Sequence, residues 1–127
     1  SDRTLALVTF NRNQRSQADS WIEGLNLKND SRISWVRIPV LSDPGTADGR
    51  SDAEKRLLER YTAEEERTRM LPMFMDKAAF ARSTGLTNIE QSYAVVLNRQ
   101  GDVLARVEGP FDATKAQTLR ETLGVAR

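Results

Sequence analysis

The sequence predicts an α/β domain with a central mixed sheet of four strands flanked by helices. Three observations lead to this fold class. Short apolar runs rich in β-forming residues alternate with segments in which apolar residues recur every three or four positions. A helix joins the first two predicted strands, which makes them parallel, and a tight turn joins the last two, which makes them antiparallel. A length of 127 residues suits one domain, so we assign residues 1–127 to a single unit.

The first part of the chain predicts a strand, a helix and a second strand. Residues 4–10 form an apolar run typical of a strand buried on both faces. Ser16 has the side chain of an N-cap, and the helix after it reaches about Leu25. Residues 33–41 predict the second strand, which we expect to end near Pro39 because proline has no N–H to donate to a ladder.

The middle of the chain predicts a helix and a compact apolar segment. Ser51 and Glu54 have the spacing of a capping box, which predicts a helix that begins at Ser51 and extends to Arg69. The second half of this helix is polar all round, so we expect it to be exposed or to contact a partner outside the chain. Residues 70–75 form an apolar node, and Asp76 is placed to cap a short helix after it.

The last part of the chain predicts a β-hairpin and a helix. Residues 92–97 give the clearest strand signal, and residues 102–108 alternate apolar and polar side chains. The tight turn between them has Gly101 at the position that favours positive φ. Asp112 then caps a final helix, which completes the order β-α-β-α-(α)-β-β-α.

This order of elements resembles the thioredoxin-like superfamily across nearly the whole chain. Residues 83–88 (STGLTN) and 92–103 (SYAVVLNRQGDV) are also similar to the mitochondrial ATP-synthase assembly-factor family. The second resemblance implies an assembly chaperone for a membrane-embedded subunit. In redox members of the superfamily, loop 11–16 (NRNQRS) would hold a Cys-x-x-Cys motif and residues 90–92 (EQS) a cis-proline. Neither is present, which implies a non-redox member.

The composition excludes several classes of chemistry. The chain contains no cysteine and no histidine. Thiol–disulfide exchange requires a thiolate, and histidine is the usual general base near neutral pH and the commonest metal ligand. A net charge of +1 lacks the basic excess typical of nucleic-acid binders. We therefore expect a domain that is not an enzyme, needs no cofactor or metal, and does not bind nucleic acid.

The sequence gives less information on location. No apolar run approaches the ~20 residues of a membrane span, and a strand begins at about Thr4. We therefore expect no intrinsic span and no signal peptide within the chain. A protein without cysteine is stable in either redox environment. The compartment stays open, and a periplasmic or membrane-peripheral location is favoured.

A first candidate binding site is the loop between the first strand and the first helix. The first N–H groups of a helix favour an anion, and two arginines add positive charge. The alternative is an ordinary polar connection. The candidate ligand residues are Asn11, Arg12, Asn13, Arg15 and Ser16.

A second candidate surface is the charged end of the helix predicted over residues 51–69. Consecutive glutamates followed by arginines suit a contact with another protein, and the alternative is a solvated charged face. The candidate contact residues are Glu64, Glu65, Glu66, Arg67 and Arg69.

Three methionines have a spacing that resembles the thioether clusters of Cu(I) sites, namely Met70, Met73 and Met75. Their neighbours Leu71 and Phe74 favour packing between helices instead.

The leading hypothesis is a non-catalytic protein-binding or assembly module of thioredoxin-like fold. The alternative is a small-molecule or anion-binding domain that uses loop 11–16. An enzyme that uses carboxylates or a hydroxyl nucleophile is the third and least favoured hypothesis.

Overall fold

One mixed sheet of five strands organises the computed structural model, which describes residues 3–11, 14–27, 33–41, 45–59, 67–74, 76, 79–80, 82, 85 and 90–124. The elements are β1 (Thr4–Thr9), α1 (Arg15–Gly24), β2 (Ser34–Leu41), α2 (Ala47–Leu58), β3 (Met73–Phe74), β4 (Tyr93–Leu97), β5 (Val103–Glu108) and α3 (Ala113–Leu123). The strand order is β3-β2-β1-β4-β5. Within the described part of the chain, no helix is both long and apolar enough to cross a bilayer.

The central strand, β1, has a parallel neighbour on one side and an antiparallel neighbour on the other. Leu7 lies opposite Arg37 of β2 and opposite Ala94 of β4. β4 and β5 form the predicted antiparallel hairpin, with an irregularity in the register after Val96. The prediction of parallel and antiparallel pairings in one sheet is therefore confirmed.

Both faces of β1 are covered by apolar side chains. On one face, Trp21 of α1 and Leu119 of α3 pack over Leu5 and Leu7. On the other face lie the aromatic rings of Phe10, Phe80 and Tyr93, which meet edge to face at centroid distances of 5.8 Å and 6.2 Å from Phe10. This double coverage explains why four consecutive residues of β1 are buried, as its continuous apolar sequence predicts.

The prediction of four strands is wrong, because a fifth strand pairs with the outer side of β2. β3 lies parallel to the last two residues of β2. Before it, Arg37 N–H donates to the carbonyl of Arg69 at 2.7 Å, and Leu71 N–H donates to the carbonyl of Arg37 at 2.8 Å. Two paired residues show no periodicity of their own, so only the contact with β2 reveals the strand.

β2 also continues through Pro39 to Leu41, where the sequence predicts an end near Pro39. The backbone N–H of Arg37 points toward the segment that carries β3. Backbone groups two positions apart in a strand point toward the same neighbour, so the nitrogen of Pro39 also faces that segment. The register places Pro39 opposite Pro72, so the missing N–H falls on this outer ladder. The pairing of β2 with β1 is not affected.

The predicted bounds of the second helix are corrected at both ends. α2 begins at Ala47, where the Thr46 hydroxyl caps it by accepting from Gly49 N–H at 3.0 Å, so Ser51 lies inside the helix. The helix ends at Leu58, and Arg69 lies beside β2 rather than on its continuation. Residues 60–66 lie outside the described residues.

The predicted hairpin turn at Gly101 and the predicted helix start at Asp112 are confirmed. The Asn98 side chain accepts from Gln100 N–H at 3.0 Å and Asp102 N–H at 2.9 Å, and Gly101 has φ of 86°. The Asp112 carboxylate accepts from the second and third N–H groups of α3. Short-range hydrogen bonds therefore fix both the turn and the helix start.

Candidate functional site

The first candidate site lies where the carboxyl ends of β1 and β2 meet the N-terminal end of α1. Ligands of open α/β sheets commonly bind outside the carboxyl ends of parallel strands. A partly open cavity of about 20 Å³ lies here. Its lining residues are Leu7, Thr9, Arg15, Ala18, Arg37, Pro39 and Met70.

Gln14 closes the loop onto the end of β1. Gln14 is only 3 % exposed, and its Oε1 accepts a hydrogen bond from Phe10 N–H at 2.8 Å. Its own N–H donates to the carbonyl of Asn11 at 3.2 Å. Gln14 is absent from the predicted ligand residues, because no local pattern distinguishes a buried glutamine from its exposed polar neighbours. This loop residue therefore has a structural role.

The predicted ligand residues of the loop lie on either side of Gln14 in the sequence. Asn11, Arg15 and Ser16 are exposed, whereas Arg12 and Asn13 lie outside the described residues. Ser16 is wrong as the N-cap, because α1 begins at Arg15 and Gln14 occupies the capping position. The cap has no side-chain hydrogen bond, because Gln14 directs its amide back to β1 instead.

A buried arginine lines the cavity and has a carboxylate partner on α1. Arg37 is 6 % exposed, and its Nη2 lies 2.7 Å from Oδ1 of Asp19. Arg15 approaches the same carboxylate at 3.8 Å. Burial of a guanidinium is costly unless a carboxylate compensates its charge, so this ion pair stabilises the arrangement. Arg37 is absent from the predicted site residues, since a single arginine in an amphipathic strand is expected to be exposed.

α1 is also tied to the residue before β4. Gln17 Oε1 accepts a hydrogen bond from Ser92 N–H at 2.9 Å, and the carbonyl of Ser92 accepts from Gly109 N–H at 2.9 Å. Ser92 is 1 % exposed and belongs to residues 90–92, for which the resemblance to redox thioredoxin-like proteins implies the position of a groove proline. No peptide bond among the described residues is cis. The backbone polar groups of Ser92 are thus bonded within the domain.

The predicted partner surface on the second helix is only partly described. Glu64, Glu65 and Glu66 lie outside the described residues. Arg67 is exposed and donates to the carbonyl of Leu58 at 3.0 Å.

Arg69 makes closer contacts with the domain. Its guanidinium lies 4.7 Å from the ring centroid of Trp35, and its Nη1 donates to the carbonyl of Trp35 at 2.9 Å. Such stacking and bonding hold the side chain against β2. Arg69 is therefore partly buried at the sheet and not on an exposed helix.

The methionines do not converge on one point. Met70 is buried and packs with Leu57, whereas Met73 is 40 % exposed. Met70 pairs with Arg37 and Met73 with Val40, so the two thioethers lie on opposite faces of the sheet. Met75 lies outside the described residues. Within the described part of the chain, no group of three histidine, cysteine or acidic residues is arranged to hold a metal ion.

Two large apolar side chains are exposed beside each other on the outer segment of the sheet. Leu71 is 51 % exposed and Met73 is 40 % exposed, and their spacing of two places both on one face. Leu104 on β5, at the other edge, is 41 % exposed. We call Leu71 and Met73 the apolar pair.

The sequence matches no protein-family model and no curated protein. Among solved structures, the chain is similar to the N-terminal domain of PilB from Neisseria gonorrhoeae, with a TM-score of 0.50 and 13% sequence identity. The alignment covers 94% of this chain and 75% of that chain. At this identity the likeness shows the fold alone. The chain has a thioredoxin-like fold, as its order of elements predicts.

Proposed function

We propose that this chain is a non-catalytic domain of thioredoxin-like fold that binds another protein in an assembly or chaperone role. The absence of cysteine from the sequence removes the thiolate that disulfide exchange requires. The domain then acts through its surface.

The contacts around α1 support the non-catalytic part of the proposal. In the region where redox members carry their reactive groups, Gln14 and Gln17 bond to the backbone of Phe10 and Ser92. Asp19 compensates the charge of Arg37. These polar side chains are used to join α1 to the sheet, which leaves them poorly placed to act on a substrate.

The apolar pair carries the protein-binding part of the proposal. Exposed large apolar residues that adjoin each other are more informative than isolated ones, because they are typical of protein contacts. Leu71 and Met73 follow closely in the chain on Arg67 and Arg69, which were predicted above to belong to a partner surface. An apolar contact with a charged border is the usual composition of a protein interface.

The test is a pull-down with the purified chain and three variants. The double variant Leu71→Asp, Met73→Asp places charge in the proposed contact and should lose a specifically captured protein. Leu104→Asp is the matched control, because it makes the same kind of change at a similarly exposed leucine on the opposite edge. Capture that survives the double variant, or that Leu104→Asp removes equally, contradicts this surface.

The predicted charged partner surface, Glu64–Glu66 with Arg67 and Arg69, is tested in the same pull-down with a separate set of variants. Reversal of charge at Glu64–Glu66 or at Arg67 and Arg69 should weaken capture where the contact extends along this segment. Because Arg69 also stacks on Trp35, its variant needs a melting curve to show that the fold is retained. Unchanged capture in all charge reversals would limit the contact to the apolar pair.

The assembly role and the location have narrower support. The assembly role rests on the resemblance of residues 83–88 and 92–103 to the mitochondrial ATP-synthase assembly-factor family. Residues 92–103 include β4 and the hairpin turn, which are common features of the fold, and most of residues 83–88 lie outside the described residues. A periplasmic or membrane-peripheral location belongs to the same proposal.

A second candidate function, anion binding, is favoured by the cavity at the first site. Thr9, Arg15 and Arg37 line it, and its volume of about 20 Å³ holds about one water molecule. Exposed Arg15 would have to move to admit a small inorganic anion. Phosphate should raise the melting temperature by mass action more than chloride at equal ionic strength, and Arg15→Gln should remove that shift. Arg56→Gln on α2 is the control, and an equal shift in the Arg15 variant contradicts this candidate.

A further inference from the structure

The outer edge of the segment that leads into β3, residues 69–72, is poorly suited to add another strand. Segment 69–71 forms two hydrogen bonds with Arg37 of β2, so the backbone groups of Met70 and Pro72 face outward. Met70 N–H already donates to the carbonyl of Arg67 at 3.2 Å, and proline has no N–H. Proline at such an edge prevents strand addition. Over residues 70–72 this edge therefore offers no N–H group to a partner strand.

The outer edge of β5 has a different arrangement. Gly109 N–H donates to the carbonyl of Ser92. Because backbone groups alternate in direction along a strand, this bond shows which residues of β5 direct their N–H and C=O groups toward β4. In this alternation the backbone N–H and C=O groups of Arg106 and Glu108 point away from β4. Lys115 Nζ donates to the carbonyl of Glu108 at 2.9 Å, and a carbonyl oxygen has a second lone pair. Over Arg106 and Glu108, β5 therefore directs backbone N–H and C=O groups outward in the alternation that a further antiparallel strand requires.

The side chains on this edge favour one particular partner and register. Arg106 and Glu108 are both exposed and lie two positions apart, on the same face of β5. In an antiparallel pair of β5 strands with Val107 on the two-fold axis, Arg106 of each copy lies opposite Glu108 of the other. A register centred on Arg106 would place two arginines opposite each other, which is unfavourable.

We propose that two copies of this chain associate through antiparallel pairing of their β5 strands, with Val107 of both copies at the two-fold axis. The interface is isologous, as in most homodimers, and it joins the two sheets into one. Hydrogen bonds between the outward backbone groups supply the pairing, and the two Arg106–Glu108 pairs select the register. This inference does not rest on the proposed function, which uses the opposite edge of the sheet.

Single cysteines test the register directly, because the chain has no other cysteine. Val107→Cys places two thiols in a pair whose Cα atoms are about 4.5 Å apart, within the range of a disulfide. Ala105→Cys is the matched control on the same face, and its two copies lie about 14 Å apart in this register. On mild oxidation, Val107→Cys should give a covalent dimer and Ala105→Cys should not. Equal yields, or a higher yield for Ala105→Cys, overturn the proposal.

Charge exchange tests the same interface without a crosslink. Arg106→Glu and Glu108→Arg each place like charges opposite each other twice, so each should lower the association constant about tenfold in sedimentation equilibrium. The double variant exchanges the charges and should restore association. Arg56→Glu on α2 should have no effect. A wild-type chain that stays monomeric up to millimolar concentration, or a double variant no better than the singles, overturns the proposal.

Discussion

Replacement of Gln14 by methionine tests the structural role of the loop most simply. Methionine preserves the length and approximate volume of the side chain but removes the Oε1 atom that accepts from Phe10 N–H at 2.8 Å. Because Gln14 is 3 % exposed, water cannot easily replace that acceptor. A buried N–H left without a partner costs about 1–3 kcal/mol, so we expect the free energy of unfolding to fall by about 2 kcal/mol.

The assay is urea unfolding followed by the fluorescence of Trp21 and Trp35, which are both buried. For a domain of this size the melting temperature should fall by about 4–12 °C. Gln100→Met, at an exposed position of the hairpin turn, should change the stability by less than about 0.5 kcal/mol. Equal stability of the Gln14 variant and the wild type would refute the idea that this loop is held by its glutamine.

Three further substitutions test other contacts of the fold. Asp19→Ala removes the carboxylate that lies 2.7 Å from the buried Arg37 guanidinium, so unfolding in urea should show a free energy of unfolding lower by about 1–3 kcal/mol, and the additional change Arg37→Met should restore part of it. Gly24→Ala would place a Cβ atom in steric overlap with the ring of Phe111, so the melting temperature should fall although alanine favours helices, and Phe111→Leu should relieve the loss. Asn98→Ala removes the acceptor of two turn N–H groups and should cost about 1 kcal/mol by the same measurement, whereas an unchanged midpoint would contradict a role for that side chain in the turn.

The parts of the fold that sequence predicts well are those fixed by neighbouring residues. Asn98 and Gly101 specify the hairpin turn, and Asp112 specifies the start of α3, because each acts on backbone groups within four positions. The order of elements then follows from periodicity and from the handedness of the crossover. α2 is the exception, because Thr46 offers a cap earlier in the chain than the expected Ser51.

The parts that sequence does not predict depend on contacts between distant segments. β3 is defined by its pairing with β2, which lies more than thirty positions earlier in the chain. Gln14 and Arg37 belong to the first candidate site because the packing of α1 buries them, and no local pattern shows that burial. Loop 11–16 was predicted from its position in the fold, but the roles of its side chains required their hydrogen bonds.

Amide hydrogen exchange at Phe10 and Ser92 measures most directly whether the side chains of Gln14 and Gln17 hold the backbone beside the N-terminal end of α1. Both N–H groups lie outside the sheet ladders and bond to glutamine side chains, at 2.8 Å and 2.9 Å. We expect these two amides to be as well protected as the amides of β1, because buried central strands are among the last parts of a domain to open. Exchange as fast as that of the exposed turn at Gly101 would contradict it.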